Sequence, residues 1–350
     1  MGEIRDRIAA FVKLGTLFSQ ISQENTSWNE MDQIHASALH QKLDLAQQHN
    51  AWFTRENLNF SLSNWGDALT QPNLEKWLSN YQFDEKDSKT VAVIMAGNIP
   101  LVGFHDFLCV LISGHSIVVK QSSNDMHLLP YIASYLEEIE PWFKGKISFY
   151  QDKLPDYDAV IATGSTNTAR YFEYYFADKP SIIRKNRNSV AILTGIETPE
   201  QLSALGEDIF MYYGLGCRSV SKLFVPQDYI FDAFFNAIYP YHEIINQNKY
   251  ANNYDYNKAV YLMSLFDMLE NGFLMLKEDE NYGSPIATLF YERYADEASL
   301  KQKLIADKEQ LQCVVSNGWV ENEVAFGKTQ KPELWDYADH VDTLKFLLEL

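Results

Sequence analysis

The sequence is short of cysteine and of basic residues. Its three cysteines, Cys109, Cys217 and Cys313, cannot build a disulfide framework, which argues for a reducing compartment. No CxxC or HxH pair is present, and the eight histidines show no zinc spacing. The 29 lysines and arginines stand against 47 aspartates and glutamates, a net charge of −18. So acidic a chain argues against nucleic acid or anionic lipid as a partner.

Long apolar runs are also missing. No stretch of about 20 uncharged apolar residues exists, so no membrane span is expected. The N-terminal MGEIRDRIAAFVKLG carries Glu3 and Asp6 and has no long apolar centre, so we do not expect a signal peptide. The composition, 46% hydrophobic and 22% charged, is that of an ordinary globular chain, and 350 residues predict two domains, with three as the alternative. The expected location is the cytoplasm.

The first eighty residues predict helices, because apolar residues such as Ile34, Ala38, Leu43 and Leu45 recur near helical spacing. From Thr90 onwards, strands alternate with helices, which indicates an α/β domain with a mostly parallel sheet. The predicted strands are 91–96, 116–120, 147–150, 158–164, 181–185 and 189–195. The predicted helices are 101–113, 125–140 with an interruption near Pro130, and 166–176. A second region to about residue 320 has its own strands and helices.

Small and polar residues follow three of the predicted strands. Gly97–Asn98, Lys120 and Gly164–Ser165 all fall at carboxyl ends, where parallel sheets bind ligands. Taken alone, Asn98 would ordinarily be a turn asparagine and Lys120 a solvated lysine at the end of a strand. The alternative is an amide donor to an oxyanion at Asn98, a cofactor donor at Lys120, and close backbone approach to a pyrophosphate at Gly164–Ser165.

Cys217 differs from the other cysteines in its surroundings. Cys109 and Cys313 lie inside apolar runs, as structural cysteines do, whereas Cys217 stands in Gly-Leu-Gly-Cys-Arg-Ser. Glycine allows close approach of a ligand, and the adjacent Arg218 favours the nucleophilic thiolate. Local sequence leaves a buried structural cysteine and a nucleophile equally open. The aromatic run over 229–241 is read as core in preference to an acyl pocket.

Taken in chain order, these segments resemble the aldehyde dehydrogenase superfamily. GNIPLVGF resembles its oxyanion-asparagine loop, HSIVVKQSSND its ribose-lysine segment, DAVIATGSTNTAR its Gly-Ser-Thr turn, and GLGCRSVSKLFVPQDYIFDAFFNAI its nucleophile segment. The closer resemblance is to the LuxC-like acyl-CoA reductases, from about residue 50 to the C-terminus. It implies an aldehyde-dehydrogenase-like α/β fold, in which a parallel-sheet cofactor domain adjoins a smaller α/β catalytic domain and a helical N-terminal region precedes both.

The resemblance also implies a role for each matching residue. Cys217 would be the nucleophile, and Asn98 with the Cys217 amide would form the oxyanion hole. Lys120, Ser123, Gly164 and Ser165 would bind the cofactor. Further candidates for substrate contact are Arg184, Arg218 and His105, although His105 also reads as a packed helix histidine. The implied domains are a helical region over 1–85, a cofactor domain over 86–190 plus about 325–350, and a catalytic domain over 191–324.

Two departures from the superfamily pattern bear on the reaction. Arg184 falls where aldehyde-oxidising members carry a glutamate base, so an enzyme thioester would hydrolyse slowly and could await hydride. Residues 121–124, QSSN, lack the acid that NAD-preferring members often place after the lysine, which favours NADPH over NADH. Together they imply NADPH-dependent reduction of an acyl-CoA thioester to an aldehyde.

Several alternatives remain open from the sequence. The protein could be a thiol acyltransferase or thioesterase that uses Cys217 without hydride transfer, or a non-catalytic scaffold of the same fold. The acyl donor could be an acyl phosphate or an acyl-carrier-protein thioester instead of CoA. The expected protein partner is a second copy of the chain or an acyl-donating enzyme, and no metal is expected.

Overall fold

The structure is a computed structural model that describes residues 4–23, 30–83, 87–151 and 153–350. Part of the predicted helical region 1–85 therefore lies outside the described residues. The chain divides into a first unit, Met1–Lys185 with Glu333–Leu350, and a second unit, Asn186–Pro332. The predicted assignment of cofactor and catalytic domains stays a prediction.

Four helices open the first unit: α1 Ile4–Ser22, α2 Glu30–His49, α3 Arg55–Ala68 and α4 Gln71–Leu78. Thr54 and Thr70 cap α3 and α4, because each side chain accepts a hydrogen bond from the backbone amide three residues later. The helices predicted in this region are confirmed, and α2 buries one face. Ile34 and Leu45 are exposed, and the buried face consists of Ala36, Leu39, Leu43 and Ala46.

A five-stranded parallel sheet follows, in the order β3-β2-β1-β4-β5. Its strands are β1 Thr90–Ile94, β2 Ser116–Lys120, β3 Ile147–Phe149, β4 Ala159–Thr163 and β5 Ser181–Arg184. The helices between them are α5 Phe104–Ile112, α6 Leu128–Ile139 and α7 Thr166–Tyr175. The predicted interruption near Pro130 is wrong. Pro130 is the third residue of α6, and amides of the first helical turn have no intrahelical partner for proline to remove.

The second unit contains a six-stranded sheet in the order β11-β6-β7-β10-β9-β8, parallel except for the β8–β9 pair. Its strands are β6 Asn188–Ile192, β7 Val220–Pro226, β8 Met268–Glu270, β9 Met275–Glu278, β10 Thr288–Tyr294 and β11 Leu311–Val315. Its helices are α8 Pro199–Phe210, α9 Asp232–Ile238, α10 Asn248–Met263 and α11 Glu297–Ala306. The strand predicted at 189–195 to close the first sheet is β6, so its assignment to that sheet is wrong.

The chain returns to the first unit after Pro332 and ends with α12, Thr343–Leu348. Tyr337 anchors this return: its hydroxyl accepts from Trp77 Nε1 at 2.7 Å and lies 2.8 Å from the Tyr81 hydroxyl. Leu344 and Leu347 of α12 are fully buried in the same core as the N-terminal helices and β1. Residues from both ends of the sequence therefore build one hydrophobic core.

No helix in the part of the chain that the structure describes combines the length and apolar character needed to cross a bilayer. Within the same residues, no group of three or more His, Cys, Asp or Glu side chains is arranged to hold a metal ion.

Candidate active site

The carboxyl ends of β1, β2 and β4 lie side by side at one edge of the first sheet. Ile94, the last residue of β1, is in register with Lys120 of β2 on one side and with Ala162 of β4 on the other. The loop that carries Asn98, the side chain of Lys120 and the Gly164–Ser165 turn therefore begin at the same edge. Strand order reverses direction at β1, and the crevice beside such a point is where open α/β sheets bind nucleotides.

Asn98 is exposed in the loop between β1 and α5. Three contacts hold this loop: the Asp125 carboxylate accepts from the Leu101 amide at 2.9 Å, Ser61 Oγ donates to the Pro100 carbonyl at 3.2 Å, and Gly97 packs against Ser122. A Cβ on Gly97 would lie 2.6 Å from Ser122 Cβ, so only glycine fits. Leu101 has a φ of 56°, a conformation that costs a leucine about 1–2 kcal/mol.

Asp125 is the nearest acid after Lys120, and its carboxylate belongs to this loop. Oδ2 accepts from the Leu101 amide, while Oδ1 is buried and has no hydrogen-bond partner among the described residues. Burial raises the pKa of Asp125 to about 6, despite the opposing effect of the Leu101 hydrogen bond. The Asp125 carboxylate is thus directed at the loop between β1 and α5.

The predicted cofactor residues all lie on or beside this edge. Lys120 is half-buried at the end of β2, and the carbonyl of the exposed Ser123 lies 2.6 Å from His49 Nε2. Ser165 caps α7 by accepting from the Thr168 amide at 3.2 Å. Gly164 precedes it, and a Cβ there would lie 3.0 Å from the Thr168 side chain. A parallel sheet whose strand order reverses at β1, with a glycine turn leading into a capped helix, fits a dinucleotide cofactor.

Arg184 lies at the carboxyl end of β5 and points into the first unit. Its side chain is 5% exposed; Nη2 donates to Asp106 at 2.5 Å and to Thr343 Oγ1 at 2.9 Å, and Nη1 donates to the Ala338 carbonyl at 2.7 Å. Burial would lower the pKa of Arg184, and the ion pair with Asp106 outweighs burial and raises it. These bonds favour a structural role, and the predicted substrate contact stays a prediction.

His105 lies in the first turn of α5, half-buried among aromatic rings. Its Nε2 is 2.9 Å from the Leu334 carbonyl oxygen, and its ring is 5.7 Å from Trp77 and 5.4 Å from Tyr337 between centroids. This setting is that of a packed helix histidine, and its predicted place in the site likewise remains untested.

The three cysteines differ in exposure as their sequence contexts predict. Cys109 and Cys313 are buried, whereas Cys217 is exposed. Burial raises the pKa of the Cys109 and Cys313 thiols and keeps them protonated. Cys217 belongs to a four-residue β-turn that the Ser219 amide closes on the Gly216 carbonyl at 3.0 Å, just ahead of β7. Its thiol is therefore the one presented at the surface of its unit.

The backbone leading into this turn is strained. Tyr212, Tyr213 and Gly214 are consecutive residues in the left-handed region, with φ of 55°, 58° and 74°. Each tyrosine pays about 1–2 kcal/mol for this conformation, which glycine adopts freely. Tyr212 is buried, and the Tyr213 ring lies 6.1 Å from that of Tyr250, so side-chain packing offsets the cost. Strained backbone of this kind clusters at functional sites.

Arg218, the neighbour of Cys217, contacts another cysteine. Its Nη1 lies 3.5 Å from Cys313 Sγ, a contact that acts against the effect of burial on the pKa of that thiol. The predicted substrate contact of Arg218 remains a prediction.

Three residues near the candidate site were not singled out from the sequence: Ser189, Asp125 and Gln330. Ser189 Oγ donates to the Cys217 carbonyl at 2.9 Å, and Gln330 Nε2 donates to Ser219 Oγ at 3.1 Å. The available signal for Ser189 was a polar residue within a buried strand, because such a residue must be hydrogen-bonded internally. Asp125 and Gln330 carry no comparable local signal.

Comparison with known proteins agrees with this arrangement. The family model "LuxC: Acyl-CoA reductase (LuxC)" matches residues 14–233, well over half of the chain. A curated relative, N-succinylglutamate 5-semialdehyde dehydrogenase 2 of Caulobacter vibrioides, is 32% identical over 78 residues. That match covers 21% of this chain and 16% of the relative's length.

Several solved aldehyde dehydrogenases have a similar fold. Aldehyde dehydrogenase 21 from Physcomitrella patens, in complex with succinate, has a TM-score of 0.63 at 11% identity, covering 99% of this chain and 87% of that one. Indole-3-acetaldehyde dehydrogenase AldA of P. syringae, in complex with NAD+ and IAA, has a TM-score of 0.61 at 12% identity, covering 92% and 73%. At these identities the likeness establishes the fold alone. The chain has the aldehyde dehydrogenase fold and belongs to the LuxC acyl-CoA reductase family.

Proposed function

We propose that this protein reduces an acyl-CoA thioester to the aldehyde through a covalent thioester on Cys217. The contrast among the three cysteines carries the proposal, since Cys217 is exposed in a fixed turn while Cys109 and Cys313 are buried. The matched family range includes Cys217, Asn98, Lys120 and Gly164–Ser165. The Cys217 thiolate attacks the acyl carbonyl, the bond from that carbon to the sulfur of CoA breaks, and CoA leaves as its thiolate while the enzyme thioester forms.

Asn98 and the backbone amide of Cys217 are proposed as donors to the oxyanion that forms during this attack. Asn98 is exposed on a loop that a buried carboxylate and a buried serine hold at Leu101 and Pro100. A donor fixed before the reaction needs no reorganisation as charge develops, and one such donor stabilises the transition state by about 3–4 kcal/mol.

The nicotinamide cofactor is proposed to bind at the edge formed by β1, β2 and β4. Lys120 and Ser123 would contact its ribose, and Gly164 and Ser165 its pyrophosphate at the start of α7. When bound, the reduced cofactor supplies the hydride that converts the acyl thioester to the aldehyde. Residues 121–124 are uncharged and the Asp125 carboxylate faces Leu101, so this region tolerates a 2′-phosphate and NADPH is the proposed donor.

Arg184 supports reduction in preference to oxidation to an acid. By the resemblance to the superfamily it falls where aldehyde-oxidising members carry their base, and its guanidinium is already bonded to Asp106 and Thr343. Arginine stays protonated, so it cannot activate water to hydrolyse the thioester. A cytoplasmic location, and a second copy or an acyl-donating enzyme as protein partner, stay predictions.

The deciding experiment incubates the protein with a panel of acyl-CoAs and NADPH or NADH, and follows CoA release, cofactor absorbance and aldehyde together. We expect all three signals with NADPH, and none from Cys217→Ala. Cys109→Ala, which removes a buried thiol, is the matched control and should retain turnover. CoA release without cofactor consumption would identify a thioesterase or acyltransferase. A Cys217 that is inert to acyl-CoA and to a mild thiol reagent would identify a scaffold.

A further inference from the structure

Both ladders of strand β6 are irregular at Ser189. On one side, Ser189 and Val190 pair with Val220 and Lys222, so β7 has one extra residue. On the other, Asn188 and Val190 pair with Leu311 and Val314, so β11 also has an extra residue. Bulges interrupt the ladder and redirect side chains, often next to active sites.

Ser189 lies between these two bulges and is fully buried, at 0% exposure. Its hydroxyl accepts from the Cys313 amide at 3.1 Å and donates to the carbonyl oxygen of Cys217 at 2.9 Å. A serine hydroxyl has a single hydrogen to donate, and the Cys313 amide is itself a donor. Ser189 therefore donates its one hydroxyl hydrogen to the carbonyl oxygen of Cys217, the proposed nucleophile.

The carbonyl that Ser189 holds is the central one of the Cys217 turn. In the turn from Gly216 to Ser219, the central peptide joins Cys217 to Arg218. Rotation of this peptide by about 180° interconverts a type I and a type II turn, and it moves ψ of Cys217 from about −30° to +120°. Arg218 stays outside the left-handed region that a type II turn would require. A hydrogen bond to the central carbonyl opposes this rotation and fixes the backbone at Cys217.

Gln330 holds the end of the same turn. Its Nε2 donates to Ser219 Oγ at 3.1 Å, and both residues are buried. The buried Asp208 fixes the segment before Gln330, because its carboxylate accepts from the Gly327 amide at 2.7 Å and from the Thr329 amide at 2.9 Å. Two groups distant in sequence, at 189 and 330, thus fix a turn at 216–219.

We propose that Ser189, supported by Gln330, is a positioning residue that holds the Cys217 carbonyl and fixes the Cys217 backbone within the turn. The thiol and the amide that this backbone carries are thereby held in place for acyl transfer. This inference rests on the proposed function, in which Cys217 is the nucleophile. Ser189 touches neither substrate nor cofactor in this role and acts through the backbone of Cys217.

The test compares two reactions of the same thiol. Acyl transfer from acyl-CoA, followed by intact mass under single-turnover conditions without cofactor, needs an oriented nucleophile and oxyanion donor. Alkylation of Cys217 by iodoacetamide needs neither. For Ser189→Ala we expect the acylation rate to fall about 10- to 100-fold, because misplacing a reacting group slows a reaction by about this much. We expect the alkylation rate of Cys217 to change less than about threefold, because the thiol remains exposed.

Ser221→Ala is the matched control. Ser221 is the extra residue of the β7 bulge, and its hydroxyl donates to the Tyr282 carbonyl at 2.8 Å, with the Ser189 carbonyl 3.3 Å away, and not to the Cys217 turn. It should acylate at close to the wild-type rate. Wild-type acylation by Ser189→Ala, equal losses in both serine variants, or equal losses of acylation and alkylation in Ser189→Ala would each overturn the positioning role.

If Ser189→Ala does not fold, Gln330→Met applies the same pair of measurements to the second anchor. Slower acylation with unchanged alkylation supports the proposal, and unchanged acylation refutes it. Cys217→Ala separates this inference from the proposed function. If Cys217→Ala still turns over, Cys217 is not the nucleophile and the proposed function is refuted. If Cys217→Ala is inactive while Ser189→Ala is fully active, only the positioning role of Ser189 is refuted.

Discussion

Asp125→Asn should change the pH dependence of stability in the first unit. In the folded protein the pKa of Asp125 is about 6, against 3.8 for an ordinary aspartate. Below pH 3.8 the carboxyl holds its proton in both states. Between pH 3.8 and 6 the unfolded chain releases the proton first, so wild-type stability falls as pH rises. A pKa shift of about two units lowers the free energy of unfolding by about 3 kcal/mol in total. About 2 kcal/mol of this loss occurs between pH 4 and pH 8.

Asparagine keeps an oxygen that can accept from the Leu101 amide but has no charge to desolvate. Its buried amide nitrogen carries a pH-independent cost of about 1–3 kcal/mol if it finds no acceptor. That cost lowers the free energy of unfolding of the variant equally at every pH. The quantity tested is therefore how the difference in stability between the variant and wild type changes with pH. We expect Asp125→Asn to gain about 2 kcal/mol relative to wild type on going from pH 4 to pH 8.

Urea unfolding followed by tryptophan fluorescence suits this measurement, because five of the six tryptophans that the structure describes belong to the first unit. Asp178→Asn, which changes an exposed aspartate in the same unit, is the matched control and should show no such trend. A stability difference between Asp125→Asn and wild type that is constant from pH 4 to pH 8, or that moves in the opposite direction, would refute the assignment of a costly buried carboxylate at residue 125.

Two further predictions concern the same unit. Asn98→Ala should lower the acylation rate by about 10²–10³ in single-turnover measurements and leave cofactor affinity, measured by fluorescence titration, nearly unchanged; a loss confined to cofactor affinity would contradict the oxyanion role. Arg184→Met should lower the free energy of unfolding, measured by urea unfolding, by about 3–5 kcal/mol, because it leaves the Asp106 carboxylate buried without its cation. Adding Asp106→Leu to this variant should restore most of the lost stability. Normal stability with a raised KM for acyl-CoA would instead favour the predicted substrate contact.

Elements defined by local pattern were predictable from the sequence. Strand β2 occupies Ser116–Lys120 as predicted, because a short apolar run bounded by Gly114 and polar residues has few other solutions. Its neighbours β1 and β4 were recognised for the same reason, and with them the shared edge that carries Asn98, Lys120 and Gly164. The exposure of Cys217 and the burial of Cys109 followed from polar and apolar neighbours.

Features that depend on distant contacts could not be predicted this way. The apolar pattern of β6 identified a strand but not its sheet, because periodicity contains no information about pairing partners. Ile34 has apolar character and helical spacing, yet only the packing of α2 decides that it is exposed. The bonds of Ser189 to Cys217 and of Gln330 to Ser219 span 28 and 111 residues, and no short motif encodes them.

The discontinuity of the first unit has a consequence for synthesis on the ribosome. The second unit is continuous, so it has its whole sequence once Pro332 emerges, whereas the first unit still awaits Glu333–Leu350. Until then Arg184 lacks its acceptors at Ala338 and Thr343, and Trp77 lacks the Tyr337 hydroxyl. Residues 1–185 therefore cannot complete their core as they are synthesised, in contrast to the usual N-terminal-first order.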